Sequence, residues 1–183
     1  MMEISQRVSP KLSQTSNNIF LNEKLLARVK SIYDKKEQLN LSTEDAKLLE
    51  DLYESFKANG ATLNKDDKEK YRKLSMDLSM LTLQFDQNAL KDKNRFELLI
   101  TDENELSGLP ESARDAAAML AKSKDKNGWL FNLSAPSYIP FMRYSDKRDL
   151  REKMYREYMS VGNKGDEFDN KDIIKKIVNI RLE

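Results

Sequence analysis

The stretch YRKLSMDLSMLTLQF at residues 71–85 decides the fold class of this chain. Its apolar residues alternate in steps of three and four: Tyr71, Leu74, Leu78, Leu81 and Phe85, with Leu83 and Leu90 widening the stripe. That spacing places them on one face of an α-helix, which we expect to begin after an Asn64 cap and to run to about Lys93. The stripe would also suit a coiled coil, but three heptads beside other amphipathic helices favour packing within one bundle.

Two shorter segments upstream repeat the amphipathic pattern. NEKLLARVKSIYDKK follows an Asn22 cap and carries the stripe Leu25, Val29, Ile32 and Tyr33. STEDAKLLEDLYESFKANG has Ser42 or Thr43 as its cap, Gly60 as its terminating residue, and the stripe Leu49, Leu52, Tyr53 and Phe56. The polar N-terminal segment up to about Thr15 contains Pro10 and is assigned to a further helix.

Downstream the periodicity changes. RFELLIT (95–101) and WLFNLS (129–134) are short aromatic and apolar runs that predict strands, and Pro110 opens a helix between them. Two strands alone are marginal, so they should pair and pack on the helices. The sequence therefore predicts a mainly α fold: a bundle of long antiparallel helices with a small two-stranded β element at about 95–101 and 129–134.

The segment APSYIPFMRYS (135–145) joins the second predicted strand to a helix. We expect Pro136 to keep Ala135 extended, Ser137 to cap the helix, and Pro140 to lie in its first turn. The junction should bury four side chains: Tyr138, Ile139, Phe141 and Met142. On the residues alone, this segment is a core turn rather than a binding site.

Two more helical patterns complete the chain. Residues 146–161 carry Leu150, Met154 and Tyr158 at i+4 spacing. The last pattern starts at an Asp169 cap, and its apolar face consists of Ile173, Ile174, Ile177, Val178 and Ile180. Since no helix-terminating residue follows, we expect the natural reading frame to continue beyond Glu183. Residues 1–183 are predicted to form a single helical domain.

Composition excludes several classes of function. The 32 basic and 31 acidic side chains nearly cancel, which argues against nucleic acid and anionic membranes as partners. Because the chain has no His and no Cys, it lacks Ser-His and Cys-His pairs, His and Cys zinc ligands, and disulfides. No apolar run reaches membrane-spanning length, and the N-terminus lacks the order of a signal peptide.

Four motifs invite a chemical interpretation, and each has a simpler one. SKDKNG (123–128) resembles the start of a calcium loop, but Ser134 stands where a bidentate Glu is required, so a polar turn is favoured. Ser123 and Lys126 have Ser/Lys-dyad spacing without any companion motif. The acids Asp166, Glu167, Asp169 and Asp172 are better explained as helix caps than as a cation site.

The fourth motif spans residues 143–158 and interleaves basic and aromatic side chains: Arg143, Arg148, Arg151, Lys153 and Arg156 with Tyr144, Tyr155 and Tyr158. Four acidic side chains in the same segment offset the charge of these basic residues. A salt-bridged helix face with tyrosines turned partly inward is therefore favoured over a nucleic-acid surface. We assign no catalytic, cofactor-binding or metal-binding residue to this chain.

The chain nevertheless resembles a known family. LSAPSYIPFMRYSDKRDLREKMYREYM resembles the region that precedes the catalytic domain in zinc metallopeptidases of the thimet oligopeptidase family. It is most similar to the bacterial peptidyl-dipeptidases (dipeptidyl carboxypeptidases) and oligopeptidase A. Four upstream pieces are similar to successive helices of the family's N-terminal half: NEKLLARVKSIYD, LLEDLYESFKANGATL, LSMLTLQFDQNAL and GLPESARDAAA.

The resemblance implies an almost wholly α-helical enzyme whose two halves flank a channel for short peptides. The family's zinc is bound by an H-E-x-x-H helix and a more distant Glu, none of which this sequence contains. The implied role is one non-catalytic wall of the channel, with the protein's own C-terminal catalytic domain and short peptides as partners. The expected location is the cytoplasm, or the periplasm if a signal peptide is missing.

The sequence leaves a second hypothesis open. The chain could be a free-standing α-helical module for protein–protein interaction, with its stripes at 71–85 and 173–180 docking on a partner. A monomer that exposes an apolar C-terminal face would favour the peptidase fragment, whereas a tight dimer would favour the module.

Overall fold

A computed structural model describes residues 2–183 of the chain. The described residues form eight α-helices: α1 (Met2–Phe20), α2 (Glu23–Tyr33), α3 (Thr43–Ala58), α4 (Lys65–Arg95), α5 (Glu111–Lys122), α6 (Ala135–Tyr144), α7 (Arg148–Met159) and α8 (Lys171–Leu182). Short 3-10 turns occupy Lys36–Gln38 and Glu103–Leu106, and two strands, β1 (Leu98–Ile100) and β2 (Trp129–Phe131), complete the elements. The predicted mainly α fold with a small two-stranded element is confirmed. None of the described helices has the length and apolarity that crossing a bilayer requires.

Side-chain caps fix the predicted starts of α2, α3 and α4. Asn22 Oδ1 accepts the N–H groups of Lys24 and Leu25 at 3.0 and 3.2 Å. Ser42, rather than Thr43, caps α3, because its Oγ accepts the Asp45 N–H at 3.1 Å. Asn64 Oδ1 accepts the Asp67 N–H at 2.9 Å at the start of α4. These bonds satisfy N–H groups that the helix itself leaves unpaired.

Helix α1 is longer than predicted and turns its apolar stripe outward. It continues through Pro10 to Phe20. Its contacts with α4 are polar: Ser9 Oγ lies 2.8 Å from Ser79 Oγ, and Asn17 Nδ2 donates to Ser75 Oγ at 2.7 Å. Its large apolar side chains at i+4 spacing are exposed: Ile4, Val8 and Leu12. At the end of the helix, Phe20 packs edge-on against the buried Phe56, with ring centroids 5.3 Å apart.

The chain divides into two compact units. The first unit contains the chain up to Leu83 together with residues 176–183, and the second contains residues 84–175. The boundaries fall within α4 and within α8. That residues 1–183 form a single domain stays a prediction.

Burial differs sharply between the two units. Among the described residues, the first unit has three buried apolar side chains: Leu21, Phe56 and Ala61. The second unit has twelve: Leu98, Ile100, Leu106, Leu109, Ala117, Ala121, Leu130, Phe131, Leu133, Phe141, Met154 and Ile173. A nearly closed hydrophobic core is therefore a property of the second unit.

The small sheet lies in the second unit. β1 and β2 pair, as predicted, although both strands are shorter than the predicted runs. The pairing is antiparallel, with Leu98 opposite Phe131 and Ile100 opposite Trp129. Gly128 precedes β2 with φ +114°, and a Cβ there would lie 2.3 Å from the Ile100 carbonyl oxygen. Only glycine allows this close approach of two backbones.

Helix α6 starts earlier than predicted. Ser134, not Ser137, occupies the N-cap position, and Ala135 is already helical. The Ser137 hydroxyl instead accepts the Asn132 N–H at 3.0 Å, which ties the first turn of α6 to the strand end. The predicted burial is right for Phe141, whose ring packs edge-on against Phe131 with centroids 4.7 Å apart. It is wrong for Ile139, which is 56% exposed.

Helix α7 starts later than predicted, at Arg148. Asp146 is held away from the helix because its N–H donates to the Ser107 carbonyl and its carboxylate accepts from the Ser107 hydroxyl at 2.6 Å. At the start of α8, Asp169 accepts the Lys171 N–H at 2.9 Å, as the sequence predicts. The α8 stripe is mixed in burial: Ile173 is buried, Ile177 and Ile180 are half-buried, and Ile174 and Val178 are exposed.

Candidate functional site

The first unit contains a groove of about 530 Å³. The N-terminal half of α4 forms one side and the last residues of the chain form the other. Its apolar lining consists of Leu63, Tyr71, Leu74, Leu78 and Ile180. Three of these belong to the stripe that the sequence predicts for α4. We call this surface the α4–α8 groove.

The rim of the α4–α8 groove is charged. Lys70 Nζ pairs with Glu183 Oε2 at 3.1 Å, which joins the two sides. Asp67 accepts from Asn64 Nδ2 at 2.6 Å. Arg181 also lines the groove and has no ion-pair partner among the described residues. The groove thus combines an apolar floor with a guanidinium that is free to meet a carboxylate.

The polar groups in this groove do not form a catalytic constellation. The Ser75 hydroxyl accepts from Asn17 Nδ2 and donates to the Arg72 carbonyl at 3.2 Å, so no general base activates it. The Tyr71 hydroxyl points to Asn59 Oδ1 at 3.5 Å. An apolar surface with engaged hydroxyls is suited to binding rather than to bond cleavage.

The second unit contains a buried polar network around Asp92. Its carboxylate is fully buried and accepts the Gly162 N–H at 2.7 Å. The same carboxylate pairs with Arg95 Nε at 2.7 Å and with Lys164 Nζ at 3.1 Å. Two cations and one N–H thus offset the cost of burying this charge. We call these residues the Asp92 network.

Both cations of the Asp92 network have a second acidic partner. Lys164 Nζ also binds Glu157 Oε2 at 2.7 Å, and Arg95 also binds Asp166. Desolvation opposes the charged form of Lys164, but hydrogen bonds to Glu157 and Asp92 raise its pKa above the ordinary value. The cations therefore stay charged, and the network holds the α7–α8 connection against α4.

An amide pair extends this attachment. Asn88 Nδ2 donates to Asn170 Oδ1 at 3.1 Å, and Asn170 Nδ2 donates to the Phe85 carbonyl at 3.1 Å. Asn170 is buried and directly precedes α8. The carboxylate and amide groups of α4 therefore set where α8 begins, which is a structural rather than a catalytic task.

The structure does not bring together the residues of two sequence motifs. Ser123 Oγ donates to the Leu120 carbonyl at 2.8 Å, whereas Lys126 Nζ pairs with Glu97. Lys124 pairs with the same Glu97, and these two lysines lower its pKa. The Ser/Lys dyad is thus absent from the described residues, and the SKDKNG loop is a polar turn fastened to β1.

The acids at residues 166–172 serve the backbone and nearby cations. Asp169 accepts the N–H groups of Lys171 and Gly165, which lowers its pKa. Asp166 pairs with Arg95 and accepts the Phe168 N–H, and its pKa is also lowered. Asp172 pairs with Lys175 at 3.3 Å. Capping accounts for the bond from Asp169 to the start of α8, whereas Asp166 and Asp172 pair with cations instead.

The tyrosines of the 143–158 segment are partly exposed. Tyr155 of α7 and Tyr144 of α6 are 50% and 47% exposed, so each is only partly turned inward. Tyr158 stacks on Tyr138 with centroids 4.2 Å apart. Glu152 and Arg156 form a surface ion pair at 2.7 Å. The four acids that cancel the basic charge remain the argument against a nucleic-acid surface.

The Asp92 network was not predicted from the sequence. Asp92 lies in the run KDKNR at residues 91–95, which has the composition of an exposed helix end. Its N–H partner Gly162 is 70 positions away, so no local pattern connects the two residues. One feature of the sequence pointed to such a contact. Gly162 and Gly165 lie in the polar connection between α7 and α8, and a connection of this kind is ordered only if other residues hold it.

Comparison with known proteins places these features in context. Over 187 residues the chain is 33% identical to oligopeptidase A of Salmonella typhimurium, covering 100% of this chain and 28% of that protein. It is 37% identical over 161 residues to the probable cytosolic oligopeptidase A of Arabidopsis thaliana, covering 84% and 23%. It is 30% identical over 184 residues to dipeptidyl carboxypeptidase of Escherichia coli, covering 100% and 27%.

This chain is homologous to the N-terminal portion of oligopeptidase A and of dipeptidyl carboxypeptidase. The resemblance seen in the sequence is thereby confirmed, and the match falls on the N-terminal portion of these peptidases. The homologue spans about 28% of the length of the curated relatives that it matches end to end. No protein-family model matches it.

The residues of this oligopeptidase A homologue do not fit a zinc site. The sequence contains no His and no Cys. Among the described residues, no group of three His, Cys, Asp or Glu side chains could hold a metal ion. Zinc in proteins is usually held by four ligands, or by three with an open position. The described residues therefore contain neither of these ligand sets.

Proposed function

We propose that this chain is the non-catalytic N-terminal part of a zinc peptidase that hydrolyses short peptides. The observation that carries the proposal is the match over all of this chain and about 28% of oligopeptidase A. Oligopeptidase A and dipeptidyl carboxypeptidase are named for cleaving peptides, and the absence of His from this chain leaves the metal site to another part of the protein.

In this proposal the chain forms one wall of the substrate channel. Its partner is the protein's own C-terminal catalytic domain, and its ligands are short peptides that enter the channel. Support comes from the first unit, where few apolar side chains are buried and the α4–α8 groove is open among the described residues. Such a surface suits contact with more protein.

The cytoplasm is the proposed location. One relative is named as a probable cytosolic oligopeptidase A, while another from the same plant is named as an organellar form. The proposal would change to the periplasm if the natural reading frame began with a signal peptide upstream of this chain.

The test is to express the complete natural reading frame beside the 183-residue chain and to assay both with a short peptide. A matched peptide with an amidated C-terminus distinguishes removal of C-terminal dipeptides from internal cleavage. We expect the longer protein to cleave, to lose activity with a chelator and to regain it with zinc, while the chain alone is inactive. A longer protein without metal-dependent peptidase activity would contradict the proposal.

One observation favours the second candidate, a free-standing interaction module. The exposed stripe of α1 and the open α4–α8 groove offer surfaces that a partner or a second copy could cover. Solution mass separates the candidates. A tight dimer of the 183-residue chain, combined with a natural stop codon after Glu183, would support the module and remove the peptidase proposal.

A further inference from the structure

We infer that the α4–α8 groove is the docking site for an apolar helix from the part of the longer peptidase outside these 183 residues, with a carboxylate that meets Arg181. This inference rests on the proposed function. It commits to an intramolecular occupant, and a second copy of the chain or a solvent-filled groove are outcomes that would overturn it.

The size and lining of the groove fit an inserted helix face. A volume of about 530 Å³ accommodates several apolar side chains. Helices that dock in grooves do so through apolar residues at i, i+3 or i+4, and i+7 spacing. The floor offers Leu74 and Leu78 one turn apart on α4, with Ile180 opposite on α8. These side chains are only half-buried in the described chain.

Charge supplies the second argument. The other rim cation, Lys70, is already paired with Glu183 at 3.1 Å. Arg181 lacks an ion-pair partner among the described residues, although it lines the same groove. Covering the groove would remove Arg181 from water, and a buried guanidinium needs a carboxylate with which it forms charge-assisted hydrogen bonds. The occupant should therefore be apolar along its centre and acidic at one edge.

The length of the homologous proteins supplies the third argument. Oligopeptidase A matches this chain over about 28% of its length, so most of the relative lies outside the match and is available to supply such a helix. The first unit buries three apolar side chains against twelve in the second, among the described residues. Covering the groove would take Tyr71, Leu74 and Leu78 of the α4 stripe from half-burial toward full burial, which favours docking.

The test uses the absence of native cysteine from this chain. Leu63→Cys places a thiol in the groove, and Leu52→Cys is the matched control on α3, since the two leucines are 37% and 40% exposed. Iodoacetamide labelling of each site is followed by peptide mass spectrometry in the 183-residue chain and in the longer protein. We expect at least about tenfold slower labelling of the groove cysteine in the longer protein, with the control unchanged.

Equal labelling of the groove cysteine in both proteins would overturn the inference, as would a natural reading frame that ends at Glu183. Protection already present in a dimeric 183-residue chain would assign the groove to a second copy instead. In the longer protein, Arg181→Glu should restore labelling of the groove cysteine, because it would repel the carboxylate of the docked helix, and Arg181→Lys should not. If Arg181→Glu left the cysteine protected, the helix would not carry a carboxylate that meets Arg181. Peptidase activity of the same preparations reports on the proposed function separately, because an active enzyme with a labelled groove refutes only the docking site.

Discussion

The two units of the chain are nearly equal in length but differ in how many apolar side chains they bury. The second unit encloses a core in which Leu106, Leu133, Phe141 and Met154 have no exposed surface. In the first unit, among the described residues, only Leu21, Phe56 and Ala61 are buried apolar side chains. Hydrophobic burial is the main force that stabilises a fold, so the second unit should be stable through its own contacts. The stability of the first unit should depend on contacts with further protein surface.

The largest expected effect is on the core of the second unit. Leu133→Ala removes a fully buried side chain and should lower the free energy of unfolding by about 3 to 4 kcal/mol. The matched change Leu74→Ala removes a half-buried side chain of the first unit and should cost about 1 kcal/mol. Urea unfolding measures both losses, with the fluorescence of Trp129, the sole tryptophan, reporting the second unit and circular dichroism reporting all helices.

Equal losses for the two leucines would break the comparison between the units. In the longer protein proposed above, Leu74→Ala should become as costly as Leu133→Ala, because the docked helix would complete the burial of Leu74. If the cost of Leu74→Ala stayed the same there, the docking site would lose its support.

The next largest effect concerns the Asp92 network. Asp92→Ala leaves the buried Gly162 N–H without an acceptor and removes one partner each from Arg95 and Lys164. We expect a loss of about 2 kcal/mol, since both cations keep a second carboxylate. Asp92→Asn retains an acceptor for the N–H and should cost less. The same fluorescence-detected urea unfolding measures both, and a neutral Asp92→Ala would show that the α7–α8 connection does not need this anchor.

A smaller effect is expected from pH, again in the second unit. Hydrogen bonds from Arg95 and the Phe168 N–H lower the pKa of Asp166 below its ordinary value of 3.8, and backbone N–H groups lower that of Asp169. A lowered carboxylate pKa stabilises the folded state above the unfolded pKa, and this stability is lost as the pH falls through the folded pKa. The urea midpoint reported by Trp129 should therefore fall between about pH 5 and about pH 2.

The control for this pH dependence is the double substitution Asp166→Asn with Asp169→Asn, which should make it shallower. The remaining dependence comes from Glu97, whose pKa is lowered by Lys124 and Lys126. In the first unit, Glu23 is the described carboxylate with a lowered pKa, through Lys68. Acid should therefore weaken the first unit less. A steeper acid response of the first unit than of the second would contradict the assignment of these carboxylates.

The contrast between the units also explains what the sequence could predict. Helix starts were predicted where one side chain bonds its own helix, as Asn22, Ser42 and Asn64 do. The start of α6 was misplaced because two serines three residues apart both suit a cap, and the Ser137 hydroxyl is used instead by the Asn132 N–H. Local bonds are visible in a sequence, whereas competition between them is decided by tertiary contacts.

The candidate site depends on contacts that are distant in sequence. The stripe of α4 was predicted, but its conversion into a groove requires Ile180 and Arg181 of α8 beside it. The Asp92 network likewise joins α4 to a connection 70 residues later. Neither pairing has a local signal, because a helical period specifies which face is apolar without specifying what covers it.

The smallest expected effect tests the ionic interaction of the first unit against the Asp92 network. The Lys68 side chain is 9% exposed and pairs at 2.8 Å with Glu23, which is 79% exposed. Lys68→Met keeps the packing of the stem and lets Glu23 return to water, so the stability should change by less than about 1 kcal/mol and could rise. Glu23→Gln, which leaves a nearly buried ammonium with a neutral partner, should cost more than Lys68→Met. Circular dichroism during thermal unfolding measures both, and the reverse order would mean that the first unit, like the second, depends on a buried charge network.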